Sequence, residues 1–154
     1  MKTRLDRILG LVAKRRIRKA IAELQQALSR KSRRSHYYLC LVALCHANLG
    51  HRRCAERFAW EAVAHAPYSA WAYLGLAQVY AWDGNLPFAR AVTEIGLMLD
   101  PALSELHAVQ AEVEFKSGDM LAAAQAAERG LALKPTERKC RDYLTLALAR
   151  LERN

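Results

Sequence analysis

The chain has 154 residues, of which 53% are hydrophobic and 25% charged, with only seven glycines and four prolines. This composition argues against a disordered chain and agrees with an all-helical domain, and the length suits one domain. Lys and Arg number 24 against 15 Asp and Glu, a net charge of +9, which favours an anionic partner over a cationic one.

The first 60 residues carry all of this positive charge. They hold fifteen basic and three acidic residues, a net charge of +12, whereas residues 61–154 have a net charge of −3. The longest apolar run near the start, residues 8–13, is too short to span a bilayer and is followed by KRRIRK where a signal peptide would have its cleavage site. We therefore expect a cytoplasmic protein.

Apolar residues recur at steps of three and four along the whole chain, which is typical of amphipathic helices. No segment alternates convincingly in the manner of a strand with hairpin turns. In chain order, the predicted helices span residues 3–13, 18–31, 36–49, 52–65, 69–83, 86–99, 103–117, 120–133 and 137–151. Ser69 and Ser104 follow prolines at the start of two of these helices, where their hydroxyls are expected to cap the first turn.

Three kinds of residue repeat with the same period of 34. They are the glycines at 50, 84 and 118, the prolines at 67, 101 and 135, and the alanines at 55, 89 and 123. Each glycine follows a predicted helix, which it can end by adopting left-handed backbone angles. The chain is therefore predicted to be built from repeats.

The period and the order of these residues resemble the tetratricopeptide repeat, a helix-turn-helix unit of 34 residues. The best unit matches that pattern at Tyr73, Leu76, Ala77, Tyr80, Gly84, Ala89, Gly96 and Pro101. The resemblance implies an all-α fold, a right-handed α-solenoid, with repeats at 36–69, 70–103 and 104–137. A degenerate unit covers 1–35, with Arg15 in place of the turn glycine.

A single helix at 138–154 follows the repeats and either caps the solenoid or belongs to a longer array. Its apolar residues are available to pack inward, namely Leu144, Leu146, Leu148 and Leu151. Its basic residues are expected on the outer, solvated face, namely Lys139, Arg141, Arg150 and Arg153.

The resemblance also implies that one helix face of each unit lines a concave groove. The residues placed there are Tyr37, Cys40, Leu44, Trp71, Leu74, Gln78, Trp82, Glu112, Phe115 and Tyr143. Trp71 and Trp82 are eleven residues apart, about three helical turns, so they share a face. Tyr73 and Tyr80 are expected in the layer between helices.

Members of the family generally use this surface to hold peptides or helices of partner proteins. The resemblance therefore predicts a protein-interaction module with a protein or peptide partner, as an adaptor or assembly chaperone. Length and repeat number also resemble the small tetratricopeptide chaperones of bacterial secretion systems. The aromatic residues are alternatively compatible with a core position, with cover by the terminal helices, or with self-association.

Basic residues also cluster where the first two turns of the solenoid would form one edge. This basic edge comprises Lys14, Arg15, Arg16, Arg18, Lys19, Arg52 and Arg53. An alternative function follows, in which the basic N-terminal repeats dock on nucleic acid or on an anionic membrane surface. A solvated surface that aids solubility would look the same.

Catalytic and metal-binding motifs are missing from the sequence. There is no phosphate loop, nucleophile elbow or HExxH, and the four cysteines form no CxxC pair. A polar stripe of His107, Gln110 and Glu114 replaces expected apolar residues, and we interpret it as a hydrogen-bonded packing network with Tyr80 or Arg141. No cofactor, metal site or enzymatic activity is therefore predicted.

Overall fold

The computed structural model describes residues 3–30 and 32–153, and within them the chain forms helices and no strand. The helices are α1 (Arg4–Ala13), α2 (Ile17–Leu28), α3 (Ser35–Asn48), α4 (Arg52–His65), α5 (Ala70–Asp83), α6 (Leu86–Leu99), α7 (Ser104–Ser117), α8 (Met120–Leu133) and α9 (Arg138–Leu151). These bounds confirm the predicted all-α chain and its helix order. The predicted end of the second helix, Lys31, lies outside the described residues.

The turns inside successive helix pairs share one backbone conformation. Gly50, Gly84 and Gly118 have φ angles of 76°, 85° and 91°, in the left-handed region that glycine enters without a Cβ clash. Arg15 stands in the same place in the first pair and also has a positive φ, 54°. The first turn therefore has the geometry of the others despite lacking their glycine.

The helices stack as a solenoid. Each odd-numbered helix packs on the even-numbered helix that follows it, and each even-numbered helix packs on the next odd one. In addition, α3 packs on α5, α5 on α7 and α7 on α9, whereas the even-numbered helices α4, α6 and α8 make no comparable contact with one another. The odd helices from α3 to α9 thus form the closely packed inner, concave row, and the even helices α4, α6 and α8 form the convex row.

Small residues at the repeated positions allow the helices to approach closely. Ala55, Ala89 and Ala123 are completely buried. At Gly130 a Cβ would overlap the Sγ of Cys140, so a larger residue at this position of α8 would have to displace that buried side chain of α9. The 34-residue step of small residues is therefore a packing requirement between neighbouring helices.

Two local predictions are wrong. Neither Ser69 nor Ser104 caps its helix: the Ser69 side chain makes no capping bond at the start of α5, and the Ser104 hydroxyl bonds to Glu105. Of the four leucines on α9, Leu144 is partly buried, whereas Leu146, Leu148 and Leu151 are exposed, because within the described residues no helix covers that side of α9. None of the described helices could cross a membrane, since none combines the length and the apolar character required.

Candidate partner-binding groove

The candidate groove lies on the concave row of odd-numbered helices. Its N-terminal half is aromatic and aliphatic: Tyr37 of α3 packs edge-on against Trp71 of α5, with ring centroids 5.2 Å apart. Leu44 and Leu74 are partly buried and rest on the largest core cluster. Burial raises the pKa of Tyr37, so its hydroxyl stays protonated and neutral. This half of the groove presents apolar surface over a firm core.

Trp82, near the end of α5, is the most exposed of the aromatic residues predicted for the groove. Its side chain is 44% exposed and lines a pocket of about 320 Å³. The other lining residues are Ala47, Gly50, Arg52, Ala55, Glu56, Val79, Tyr80 and Asp83. Small residues leave the space open, and the Arg52–Asp83 ion pair, 2.6 Å long, lies at the pocket. The volume is sufficient for one side chain of moderate size.

Tyr80 forms the boundary between this pocket and the convex side. It is only 9% exposed and lies 4.4 Å from Phe88 between ring centroids. Its hydroxyl donates to Glu56 and accepts from Trp60 Nε1 at 3.2 Å. Burial, followed by the hydrogen bond to Glu56, raises the pKa of Tyr80, which keeps the hydroxyl a donor. Tyr80 is therefore a structural residue, as predicted from its position.

The C-terminal half of the groove holds a buried polar cluster. Glu112 of α7 is 2% exposed and accepts from Gln78 Nε2 at 2.9 Å and from Lys116 Nζ at 2.5 Å. Lys139 of α9 bonds to both Glu112 and Gln78, and so connects α9 to α5 across the concave face. The predicted place of Lys139 on the solvated outer face of α9 is therefore wrong.

Opposing effects set the charges in this cluster. Burial alone would raise the pKa of Glu112, but Lys139, Gln78 and Lys116 together hold it below its usual value. Burial lowers the pKa of Lys139, and Glu112 opposes that change. The carboxylate is thus ionised and its oxygens are already bonded within the protein. Gln78 and Glu112 form the floor of the groove and are not free to bind a partner.

Cys40 does not line open space, contrary to the prediction. It is 4% exposed, and its Sγ lies 3.1 Å from the Trp71 carbonyl oxygen, in the contact between α3 and α5. Burial raises the pKa of Cys40 to about 12, and those of Cys45 and Cys140 to about 11. These thiols are protonated at neutral pH and therefore weak nucleophiles. In the described residues no three His, Cys, Asp or Glu side chains group as metal ligands.

Phe115 and Tyr143 extend the concave surface towards α9. Their ring centroids are 5.5 Å apart, and the Arg150 guanidinium lies 5.9 Å from the Phe115 ring centre. Both aromatic side chains are partly buried. Burial raises the pKa of Tyr143 to about 12. The two rings continue the groove beyond the polar cluster but belong largely to the contact between α7 and α9.

The polar stripe on α7 has other partners than predicted. Glu114 pairs with Arg90 through two hydrogen bonds of 2.8 and 2.7 Å, and not with Tyr80 or Arg141. His107 Nε2 lies 2.8 Å from the carbonyl oxygen of Pro101, which makes this nitrogen the donor. Both side chains are 8% exposed. The stripe therefore stabilises the packing of α7, as the packing interpretation of the sequence requires.

All seven residues of the basic edge are exposed. Among them, within the described part of the chain, only Arg52 has a carboxylate within 4 Å, that of Asp83. Their role in binding remains a prediction.

Sequence reasoning missed the pocket at Trp82, since its walls come from three different helices, and no local signal marks it.

No protein-family model matches the chain, and no curated protein matches it either. Solved structures do resemble it. TTC0263, a thermophilic TPR protein of Thermus thermophilus, superposes with a TM-score of 0.84 at 21% identity, over 96% of this chain and 81% of that one. This chain has the tetratricopeptide-repeat fold. The predicted resemblance and the α-solenoid are thus confirmed, while the likeness to secretion chaperones remains a prediction.

Two further tetratricopeptide structures of similar fold contain bound peptides. The first TPR of Spaghetti (RPAP3), bound to the HSP90 peptide SRMEEVD, has a TM-score of 0.69 at 15% identity, over 79% of this chain and 96% of that one. The second TPR domain of human RPAP3, in complex with the HSP70 peptide SGPTIEEVD, has a TM-score of 0.60 at 17% identity, over 73% of this chain and 97% of that one.

Proposed function

We propose that the chain is a protein-interaction module that binds a segment of a partner protein in the N-terminal half of its concave groove. The observation that carries the proposal is the half-exposed indole of Trp82 beside an open pocket of about 320 Å³. A large apolar side chain left in water beside a cavity is typical of binding sites, where aromatic residues contribute most to affinity.

The second support is the continuity of the surface. Trp71 lies on the same face of α5 as Trp82 and is packed against Tyr37, so the rings are held in place before a partner arrives. Preorganisation of this kind lowers the entropic cost of binding. Two of the structurally similar proteins hold peptides, which supports a peptide or helix as the ligand here.

The polar cluster around Glu112 limits the extent of the site. Because its carboxylate and both lysines are already bonded together, a partner would have to break these bonds to reach the floor of the C-terminal half. We propose that the partner's apolar anchors contact Tyr37, Leu44, Trp71, Leu74 and Trp82. An adaptor or assembly chaperone would use the groove in this way. The charge-based alternative concerns a different surface.

A displayed library of random peptides, selected against the intact chain, tests the proposal. We expect enriched peptides with aromatic or aliphatic anchors, whose affinity falls at least tenfold in Trp71→Ala/Trp82→Ala. Trp60→Ala is the matched control, because Trp60 is 45% exposed on the other side of Tyr80. Unchanged affinity in the double variant, or an equal loss in the control, would place binding elsewhere.

A further inference from the structure

A basic furrow runs between α1 and α2 at the N-terminal end of the solenoid. Two adjoining pockets of about 580 and 570 Å³ share Arg7, Leu11 and Arg16, so they form one continuous depression. We name it the N-terminal furrow. Its lining residues are Thr3, Arg4, Asp6, Arg7, Gly10, Leu11, Lys14, Arg16, Lys19, Ala22, Glu23 and Gln26.

In the described chain, α1 packs chiefly against α2. The furrow is open because no third helix contributes to its described lining. Arg4, Arg7, Leu11 and Lys14 follow one another at steps of three and four and therefore share one face of α1. On α2, Lys19, Ala22 and Gln26 repeat the same steps. Two helix faces thus line the sides of the furrow, and most of their side chains are exposed.

The furrow carries a net positive charge. Of its two carboxylates, Glu23 pairs with Arg7 at 2.6 Å, and Asp6 accepts from the backbone and hydroxyl of Thr3, both at 2.8 Å. Within the described residues, no carboxylate lies within 4 Å of the remaining cations. These are Arg4, Lys14, Arg16 and Lys19. The described lining therefore has five cations and two carboxylates, a net charge of +3, and four of the cations have no described carboxylate within 4 Å.

The chemistry of the lining selects the ligand class. Among the described lining residues only Leu11, Gly10 and Ala22 are apolar and none is aromatic, so they offer neither the apolar anchors of a protein interface nor a platform for stacked bases. Guanidinium and ammonium groups suit phosphate oxygens. A concave channel also fits a chain of phosphates better than the flat surface of a bilayer.

We propose that the N-terminal furrow binds the phosphodiester backbone of a nucleic acid without reading its bases. The dimensions agree: from Arg4 to Lys14 the helix rises about 15 Å, which is long enough to follow several consecutive phosphates of one strand. Each of the four cations outside the Arg7–Glu23 pair can contact one phosphate. This site is separate from the groove of α3 and α5, and neither proposal depends on the other.

The test uses fluorescence anisotropy with labelled 20-nucleotide DNA and RNA, single-stranded and duplex, on the full chain. We expect binding at 50 mM salt with little dependence on sequence. With four phosphates neutralised, affinity falls about 50- to 150-fold between 50 and 200 mM salt. Arg16→Glu/Lys19→Glu should weaken binding at least tenfold. Both positions lie at the start of α2, where an acidic side chain is compatible with the helix.

Arg129→Glu/Arg141→Glu is the matched control, since it changes net charge equally at exposed positions remote from the furrow. Equal loss in both double variants would mean general attraction by net charge and would overturn the site. So would an absence of binding at 50 mM salt, or retention on anionic vesicles but not on nucleic acid. Circular dichroism verifies that each variant keeps its helices.

Discussion

Two contacts that lie 34 residues apart along the chain solve the same packing problem with different chemistry. Where α4 meets α5, Glu56 accepts from the Tyr80 hydroxyl. Where α6 meets α7, the equivalent residues are Arg90 and Glu114. They form a bidentate ion pair with N–O distances of 2.8 and 2.7 Å. The backbone arrangement repeats from one unit to the next, whereas the side chains at equivalent positions differ.

The surroundings of the two contacts differ as well. Beside Tyr80 the Arg52–Asp83 pair and Trp82 border a pocket of about 320 Å³. One repeat later, Leu86 stands in the place of Arg52 and packs against the core, and Lys116 stands in the place of Trp82 and bonds to Glu112. The period therefore determines where a contact occurs, and residue identity decides whether the junction offers a partner apolar surface.

The largest effect is expected from Tyr80→Ala, which breaks the first contact. Loss of the buried ring and its packing on Phe88 should lower the free energy of unfolding by about 3 to 5 kcal/mol, and Glu56 loses its hydrogen bond. Urea denaturation followed by circular dichroism measures this. Trp82→Ala is the control, and its half-exposed side chain should cost about 1 kcal/mol. Similar losses in both variants would contradict the assignment of Tyr80 to the core and Trp82 to the site.

The second prediction compares the two junctions by overpacking. Ala89→Leu should destabilise by about 1 to 3 kcal/mol, because the completely buried Ala89 has no room for a larger side chain. Ala55, at the equivalent position, is equally buried but also lines the pocket, so Ala55→Leu should cost less because the added atoms can occupy that pocket. Thermal melts of the two variants rank them. A larger loss for Ala55→Leu would mean that the pocket does not accept a side chain from this direction.

The smallest effect extends the comparison to the first turn. Arg15 holds a positive φ of 54° where the other turns have glycine, so Arg15→Gly should stabilise the protein by about 0.5 to 1 kcal/mol through relief of backbone strain. The matched variant Gly84→Ala should destabilise, because alanine is strained at a φ of 85°. Urea midpoints report both changes. A destabilising Arg15→Gly would show that the arginine side chain outweighs the strain.

The fold was almost fully predictable, since its determinants are local. Helices α4 to α8 each lie between one of the repeated glycines and one of the repeated prolines, and glycines at 50, 84 and 118 give the turns their positive φ. The face shared by Trp71 and Trp82 also follows from helical geometry alone. These features depend on neighbours a few residues away, so the sequence by itself determined them.

Tertiary structure decided which of the predicted groove residues are open. Cys40 is buried against α5, and Glu112 is bonded to Gln78, 34 residues away. Lys139 reaches Gln78 across 61 residues. Such contacts depend on the distance and angle between stacked helices, which small residues such as Gly130 set by allowing close approach. A helical pattern gives the direction of a side chain, but only the packed neighbours determine whether that side chain meets solvent, an ion or another helix.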